Sequence, residues 1–401
     1  MDLISALSDD LLAKILLLVP TKVAVSTGIL SKRWEYLWMW LPKLEYGHRD
    51  CSESECEKLR CFLDRNLPLH RAPDIESFRL ELCNSRFKPE SINTWVVVAL
   101  SHCLRELDIS YESYPEKPDI LPSNLYTSKS LKLEGDILLD VPRMVSLPSL
   151  KTLMLQRVRY LNDETLQRLL SNCPILEDLV VRLREYGDTM QKLTVVVPSL
   201  QRLTLYIPYN HELYEYVIGT PSLKYFELVD YIDNDHDGLI ENMPYLIEAY
   251  VDCCCPDIYC LMVSKTSVKR LTICSVAILD GLVFNELEHL ENQLVQLLNA
   301  SSKLKRLDIS LMDGHVPRYM DDWNRPSTVP ECLLSSLQSL NWLEYTGEPQ
   351  ERDIVVYILK HARHLKTATI TSFESDVPKF EMIKELALSP RASTTCQLVF
   401  E

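Results

Sequence analysis

Two stretches carry the side chains that could do metal chemistry. Asp233-Asn234-Asp235-His236-Asp237-Gly238 sets oxygen donors at alternating positions, as a calcium loop begins, with Gly238 at position 6 and Ile240 at position 8. Position 12, where such a loop needs a bidentate Glu, is Pro244. The flanking segments have strand rather than helix spacing, so the stretch reads as a solvated acidic loop. Cys253-Cys254-Cys255 with Cys260 gathers thiols. Adjacent strand residues point to opposite faces, so at most two of the three converge, and the chain has no C-x-x-C pair. These cysteines read as small buried side chains.

The templates of enzymes are missing too. The 9 glycines never fall closer than 19 residues apart, which removes phosphate-cradling and dinucleotide-binding loops. There is no G-x-S-x-G elbow, and none of the 9 histidines sits in an H-E-x-x-H setting. The expectation is a chain with no catalytic residue, no cofactor and no metal.

Charge narrows the partners. Against 42 Lys and Arg stand 57 Asp and Glu, a net charge of -15, so nucleic acid and anionic membrane surfaces are repelled on average. Residues 1–47 are balanced, and the acidic surplus lies after them. The 13 cysteines are odd in number and scattered, as in a reducing compartment. Leu11–Pro20 is apolar but follows Asp9 and Asp10 and contains Lys14, unlike an export signal. No apolar run approaches the roughly 20 residues of a membrane span. These features predict a soluble protein of cytoplasm and/or nucleus, 46% hydrophobic and able to bury a core.

The elements that must position any binding residue begin at the N-terminus. Leu7, Leu11, Leu12, Ile15, Leu16 and Val19 recur at helical spacing behind Ser8, Asp9 and Asp10, which suit a helix start. Pro20 stops that helix. A second short helix carries Ala24, Val25 and Thr27, and a third carries Leu30, Trp34, Leu37 and Trp38. Three helices this short cannot bury so many large side chains among themselves, so part of the apolar surface must dock on a partner. The string from Leu7 to Trp38, through Pro20-Thr21-Lys22 and Leu30-Ser31-Lys32-Arg33-Trp34, resembles the F-box of the plant F-box/leucine-rich-repeat family. The resemblance implies binding to the Skp-type adaptor of an SCF ubiquitin ligase and, through it, to a cullin–RING ligase. The residues implied to contact it are Leu7, Leu11, Leu12, Ile15, Leu16, Val19, Pro20, Leu30, Trp34 and Leu37. The family usually has Leu-Pro where this chain has Leu7-Ser8. That departure leaves a second reading open, an interaction scaffold that recruits no ligase.

Downstream the pattern L-x-x-L-x-L repeats, as in Leu104–Ile109, Leu150–Leu155, Leu200–Leu205, Leu223–Leu228 and Leu304–Ile309. Copies start at 75, 104, 128, 150, 176, 200, 223, 246, 268 and 304, mostly 22–26 residues apart, the leucine-rich-repeat period. Each unit is a strand plus a return segment that buries its leucines only when neighbours stack on it. Leu166, Leu169, Leu170 and Cys173 line a return helix, and Leu287, Leu290, Leu294, Leu297 and Leu298 line another within the final 36-residue step. The strands' outward positions form a surface for a protein target whose identity no motif gives.

From Val329 the pattern changes to a strand near Leu340–Trp342, a helix through Ile354–Ala362, a strand at Leu365–Ile370, a helix through Phe380–Ala387 and the close Cys396–Phe400. This ordered segment is similar to the FBD domain that ends many plant F-box proteins. Physically it suits a cap that continues the repeat sheet, with Glu351, Arg352, Asp353, Lys360 and Arg363 on the polar face of its first helix. The expected fold is therefore α/β: an F-box over residues 1–47, a repeat horseshoe over 48–328 and an FBD cap over 329–401. A chelator should accordingly shift the melting temperature by less than about 1 °C. A larger drop reversed by calcium or zinc would overturn the reading of both metal-like stretches.

Overall fold

The computed structural model describes residues 4, 7–47, 52–83, 87–112, 119–120, 128–139, 141, 147–232, 237–253, 268–275, 289–291, 298, 301–309, 328–372 and 377–401. They fall into two compact units, Met1–Leu200 with Asn210–Ile218, and Gln201–Tyr209 with Gly219–Glu401.

The first unit opens with α1 (Asp9–Leu16), capped by Ser8, whose hydroxyl accepts from the Leu11 N–H at 3.4 Å. Asp9 and Asp10 sit in its first turn, against the positive end of the helix dipole. Pro20 leads into α2 (Thr21–Ser26). A 3-10 turn, Thr27–Ile29, follows α2, and the third expected helix is instead the 3-10 segment Trp34–Trp40. Three residues per turn set Trp34 and Leu37 on one side, and both are buried there. The Arg33 guanidinium clamps this turn to the start of α1, donating to Asp9 at 2.7 Å and to the Leu7 carbonyl.

The repeat sheet starts earlier than the leucine pattern. Lys43–Gly47 pairs in parallel with Ser77–Cys83, and the Thr21 hydroxyl accepts from the Glu45 N–H at 2.9 Å. A helical module thereby covers the first strand. α3 (Glu53–Asn66), opened by the Ser52/Glu55 capping box, and α4 (Pro89–Leu100) are return segments. Glu106–Glu112, Ser130–Gly135, Thr152–Gln156 and Asp178–Arg182 follow, each parallel to the last. α5 (Glu164–Leu170) forms where Leu166, Leu169 and Leu170 predict it. Register aligns Phe78, Leu107, Leu131, Leu153 and Leu179 in one row and Leu80, Ile109, Leu133, Leu155 and Val181 in the next. None of the ten is more than 2% exposed. Burial of each such side chain is worth about 1.5–3 kcal/mol.

A second regularity binds coil to coil. The Arg105 carbonyl accepts from Lys129 and Ser130 N–H (2.8 and 3.0 Å), that of Lys129 from Lys151 and Thr152 (2.8 and 3.2 Å), and that of Lys151 from Glu177 and Asp178 (2.8 and 2.9 Å). Gly135 ends its strand at φ +100, and a Cβ there would lie 2.0 Å from the Tyr111 carbonyl oxygen, so no side chain fits.

In the second unit Arg202–Ile207, Tyr225–Asp230, Glu248–Cys253 and Arg270–Ser275 stack in parallel. The helix expected from Leu287 to Leu298 is corrected at His289–Glu291. These residues form a short strand, parallel to Arg270–Ser275 on one side and to Arg306–Ile309 on the other. The 36-residue step thus contains an additional strand. Backbone pairing with both neighbours prevails here over the helical spacing of the leucines. Residues 233–236 of the calcium-like stretch and Cys254, Cys255 and Cys260 lie outside the described residues.

The C-terminal segment continues the same sheet. Arg306–Ile309 pairs with Ser339–Tyr345, that strand with Thr367–Ser372, and that one with Gln397–Phe400, all parallel. The carbonyl relay recurs: Lys305 accepts from Gln338 and Ser339, and Gln338 from Lys366 and Thr367. α6 (Glu331–Ser335), α7 (Pro349–His361) and α8 (Lys379–Leu388) lie between these strands in the chain. Glu351 is a correction, because it is buried rather than on the polar face of α7. Its carboxylate accepts from the Thr346 N–H and hydroxyl (2.8 Å each) and the Gly347 N–H (3.0 Å). It closes the turn that starts the helix, and burial raises its pKa despite those bonds.

Removing residues 329–401 should expose Leu304 and Leu307, so the truncated chain is expected to aggregate or to melt well below the full chain. A monodisperse product with unchanged melting would refute the capping role.

His70 supplies a pH test at the join between the helical module and the first coils. Arg71 and Ala72 N–H donate to the Met39 carbonyl at 2.8 and 3.1 Å, and the His70 ring meets His102 edge-on at 5.6 Å. Burial, then the His102 charge, pulls the His70 pKa from 6.5 down to about 4. The native state then binds fewer protons than the unfolded chain between those values. Stability should be full above pH 6.5 and fall towards pH 4, by on the order of 2–3 kcal/mol from this residue. Urea midpoints over that range should flatten in His70→Gln.

Candidate functional site

Two surfaces present side chains in an arrangement that can bind. Along α1 and the turn that follows it run two apolar stripes on neighbouring faces. Leu12 and Leu16, four residues apart, are buried with Ala24, Trp34, Leu37 and Trp38 as the core of the module. Leu11, Ile15 and Leu18 form the second stripe and are 47%, 41% and 83% exposed. Val19, Val23, Ile29 and Leu30 are exposed as well, Ile29 at 91%.

The ten residues expected to contact a partner therefore divide. Leu11, Ile15, Val19, Pro20 and Leu30 are exposed and Leu7 is half-buried. Leu12, Leu16, Trp34 and Leu37 are buried and hold the exposed set in place. Sequence reading missed Leu18, Val23 and Ile29. The signal for Leu18 was available, since it extends Leu11 and Ile15 at helical spacing. These exposed apolar side chains are many for so small a module.

The second surface is the open side of the parallel strands. In the first unit Glu45, Arg79, Asp108 and Lys132 stand in one register row with alternating sign. Successive ion pairs measure 3.3, 3.5 and 3.6 Å. Lys132 also reaches Glu134 at 3.7 Å, and Glu134 is met by Arg157 at 2.7 Å. Burial raises the pKa of Asp108, and Lys132 and Arg79 oppose that rise. A ladder of this kind fixes the coils in register and neutralises its own charges.

The second unit differs. Arg202 stacks its guanidinium 4.7 Å from the Tyr225 ring centroid, and the Tyr225 hydroxyl donates to Glu227 at 2.8 Å. Burial and then Glu227 push the Tyr225 pKa up to about 12. Thr204 donates to the same carboxylate at 3.0 Å, and Arg270 pairs with Glu248. Tyr206, Tyr209 and Tyr231 cluster at one end of these strands.

Neither surface assembles a reaction centre from its described residues. No group of three or more His, Cys, Asp or Glu among them could hold a metal ion. Cys173 and Cys332 donate their thiols to the carbonyls of Leu169 and Leu298 at 3.3 Å each, and burial pushes both pKa values up to about 12. Thiols so held are packing groups, not nucleophiles. No helix among the described residues is long and apolar enough to cross a membrane.

Comparison with known proteins places the two surfaces in context. Residues 325–370 match the FBD family, and residues 92–236 match the repeat family described as "FBD-associated F-box protein At5g56370, LRR repeats". The FBD-associated F-box protein At4g10400 of Arabidopsis thaliana is 58% identical over the whole of both chains. FBD-associated F-box protein At5g38590, from the same plant, is 50% identical over 96% of this chain and 98% of its own. Putative F-box/FBD/LRR-repeat protein At5g62970, also from Arabidopsis thaliana, is 42% identical over the whole of both.

Proposed function

As the chain belongs to the plant F-box proteins that combine an FBD domain with leucine-rich repeats, we propose that it is the substrate-recognition subunit of an SCF-type ubiquitin ligase. Its N-terminal module docks on the Skp-type adaptor, and through it on a cullin–RING ligase. Its repeats hold a target protein. The observation that carries this reading is the second apolar stripe, Leu11 and Ile15 on α1 with Leu18 just beyond it, displayed by a module whose core is already complete without it.

The mechanism needs no bond-making group and no cofactor on this chain. A receptor of this kind raises the local concentration of the target near the ubiquitin-conjugating enzyme, and the rate gain comes from proximity. The joint between module and repeats suits that role. Thr21 and Met39 bond directly to the first coils, so hydrogen bonds tie the module that carries the apolar stripe to the first strands.

Ser8 favours a second reading, a repeat scaffold that recruits no ligase. Its hydroxyl caps α1, which offsets the loss of the pre-organising proline. Ser8→Pro is therefore expected to leave adaptor affinity unchanged or to raise it.

One capture experiment separates the readings. Leu11→Asp with Ile15→Asp should reduce capture of the purified Skp-type adaptor at least about thirtyfold, the roughly 2–4 kcal/mol of interface anchors, without lowering the melting temperature. Leu12→Ala should instead destabilise the module, because its side chain is fully buried. Undiminished capture by the folded double variant would sink the docking proposal. Failure of the unaltered chain to capture adaptor would favour the scaffold.

A further inference from the structure

The sheet ends on the strand Gln397–Phe400, and among the described residues no further strand pairs with its outer edge. Gln397 and Glu401 N–H donate to the Lys366 and Ile370 carbonyls at 2.9 Å each, so alternation turns the N–H and C=O groups of Leu398 and Phe400 to the outer edge. Register carries two core rows to this strand, Leu340–Ala368–Leu398 and Trp342–Ile370–Phe400. The first two members of each row are at most 1% exposed, whereas Leu398 and Phe400 are half-buried. On α8, Met382 and Leu386 are buried, and Glu385 pairs with Arg352 of the preceding helix at 2.9 Å. Phe380, Ile383 and Ala387 stand about 140–160° around α8 from Glu385, so they face away from the preceding coil. All three are exposed, Phe380 at 74%.

We propose that this end of the stack binds the same end of a second copy of the chain, strand to strand across a twofold axis. It presents an edge strand, two incompletely covered core residues and an apolar helix stripe. Coils within the stack present surfaces of the same kind to their neighbours, so the contact continues an interface the fold already uses. Identical edges that keep their helices on one side pair symmetrically only when antiparallel. The register that uses every outward group sets Leu398 against Phe400 of the other copy, with the two Val399 residues opposite each other at the axis. Leucine then lies beside phenylalanine on the core face, a favourable cross-strand pair. The two α8 helices run antiparallel beside each other, and their Phe380–Ile383 stripes meet.

Charge selects a copy of this chain as the occupant. The chain carries -15, and two such chains repel wherever their acidic surfaces meet. Residues 379–401 are balanced instead, with Lys379, Lys384 and Arg391 against Glu381, Glu385 and Glu401. The strand Gln397–Phe400 has neither a charge nor a proline, the usual guards of an exposed edge. In an antiparallel pair of identical helices each flank meets its own counterpart, so Lys384 of one copy lies near Glu381 of the other. Val399, 40% exposed on the open face, gains an apolar neighbour. A foreign strand gains the edge bonds but none of these matches. The association goes beyond the ligase reading and does not rest on it. A receptor joined in this way carries two N-terminal modules and two target faces, which raises its avidity for a target with repeated sites.

The test is sedimentation velocity of the full chain from about 1 to 100 µM, where a dimer that grows with concentration is expected. Val399→Lys sets like charges opposite each other and should raise the dissociation constant at least about fivefold, as should Val399→Glu. An equimolar mixture of the two variants should dimerise again, because Lys then faces Glu. Phe380→Glu, at an exposed position, should weaken association at least about tenfold without lowering the melting temperature. A full chain that stays monomeric at about 100 µM would overturn the proposal and leave the edge to a foreign strand. A dimer that neither Val399 variant weakens would overturn it too, as would a Lys and Glu mixture that stays monomeric.

Discussion

A parallel coil cannot satisfy itself. Its strand offers N–H and C=O groups outward on both edges, and its leucines are covered only when another coil lies against them. Two devices meet that demand throughout this protein. One is the row of core residues matched in register, such as Leu80, Ile109 and Leu133. The other is the carbonyl before many of the described strands, such as Arg105, Lys129, Lys151, Gln201, Lys224 and Lys305, which accepts two N–H groups from the next coil. The ends follow from the same constraint. At the start, α2 covers strand Lys43–Gly47 through Thr21; in the second unit, the FBD strands extend the stack beyond Ile309.

That constraint explains why the core says little about function and the opposite face of each strand says more. Core rows are interchangeable leucines. The open rows are individual: a self-neutralising ion ladder in the first unit, tyrosines backed by carboxylates in the second. Charges in the ladder are spent on one another, whereas in the second unit the rings take up a guanidinium or one another. Fixed strands hold these groups at a set spacing, so binding would cost little ordering of the receptor.

The helical module solves a different problem with few residues. A helix of two turns has room for two apolar stripes, and α1 uses one for its own core and leaves the other outside. Leu12 and Leu16 stabilise the platform on which Leu11, Ile15 and Leu18 are displayed. The Arg33 clamp to Asp9 and to the Leu7 carbonyl fixes where the stripe begins.

The sequence alone determined the order of elements, because spacing is a local property. Leucines at L-x-x-L-x-L positions, Pro20 after an apolar helix and Ser8 before it act within a few residues and appear in the structure where they stand in the chain. The FBD strands obeyed the same rule more closely than their sequence suggested, since Leu337, Leu340 and Trp342 keep the repeat spacing and are all buried. Only the tertiary structure decided what covers each apolar or charged group. Leu11 and Leu12 are the same residue type in adjacent positions, yet one is displayed and the other fully buried. Glu351 reads as a solvent-facing helix residue, yet the Thr346–Gly347 turn draws its carboxylate inside. His289–Glu291 has helical leucine spacing around it, yet strands on both sides claim its backbone. The tyrosine cluster of the second unit takes Tyr206 and Tyr209 from one coil and Tyr231 from the next, and register alone brings Tyr206 level with Asp252. Periodicity states which side chains avoid water, but burial, pairing and charge neutralisation depend on neighbours twenty or more residues away, and those are fixed only when the coils stack.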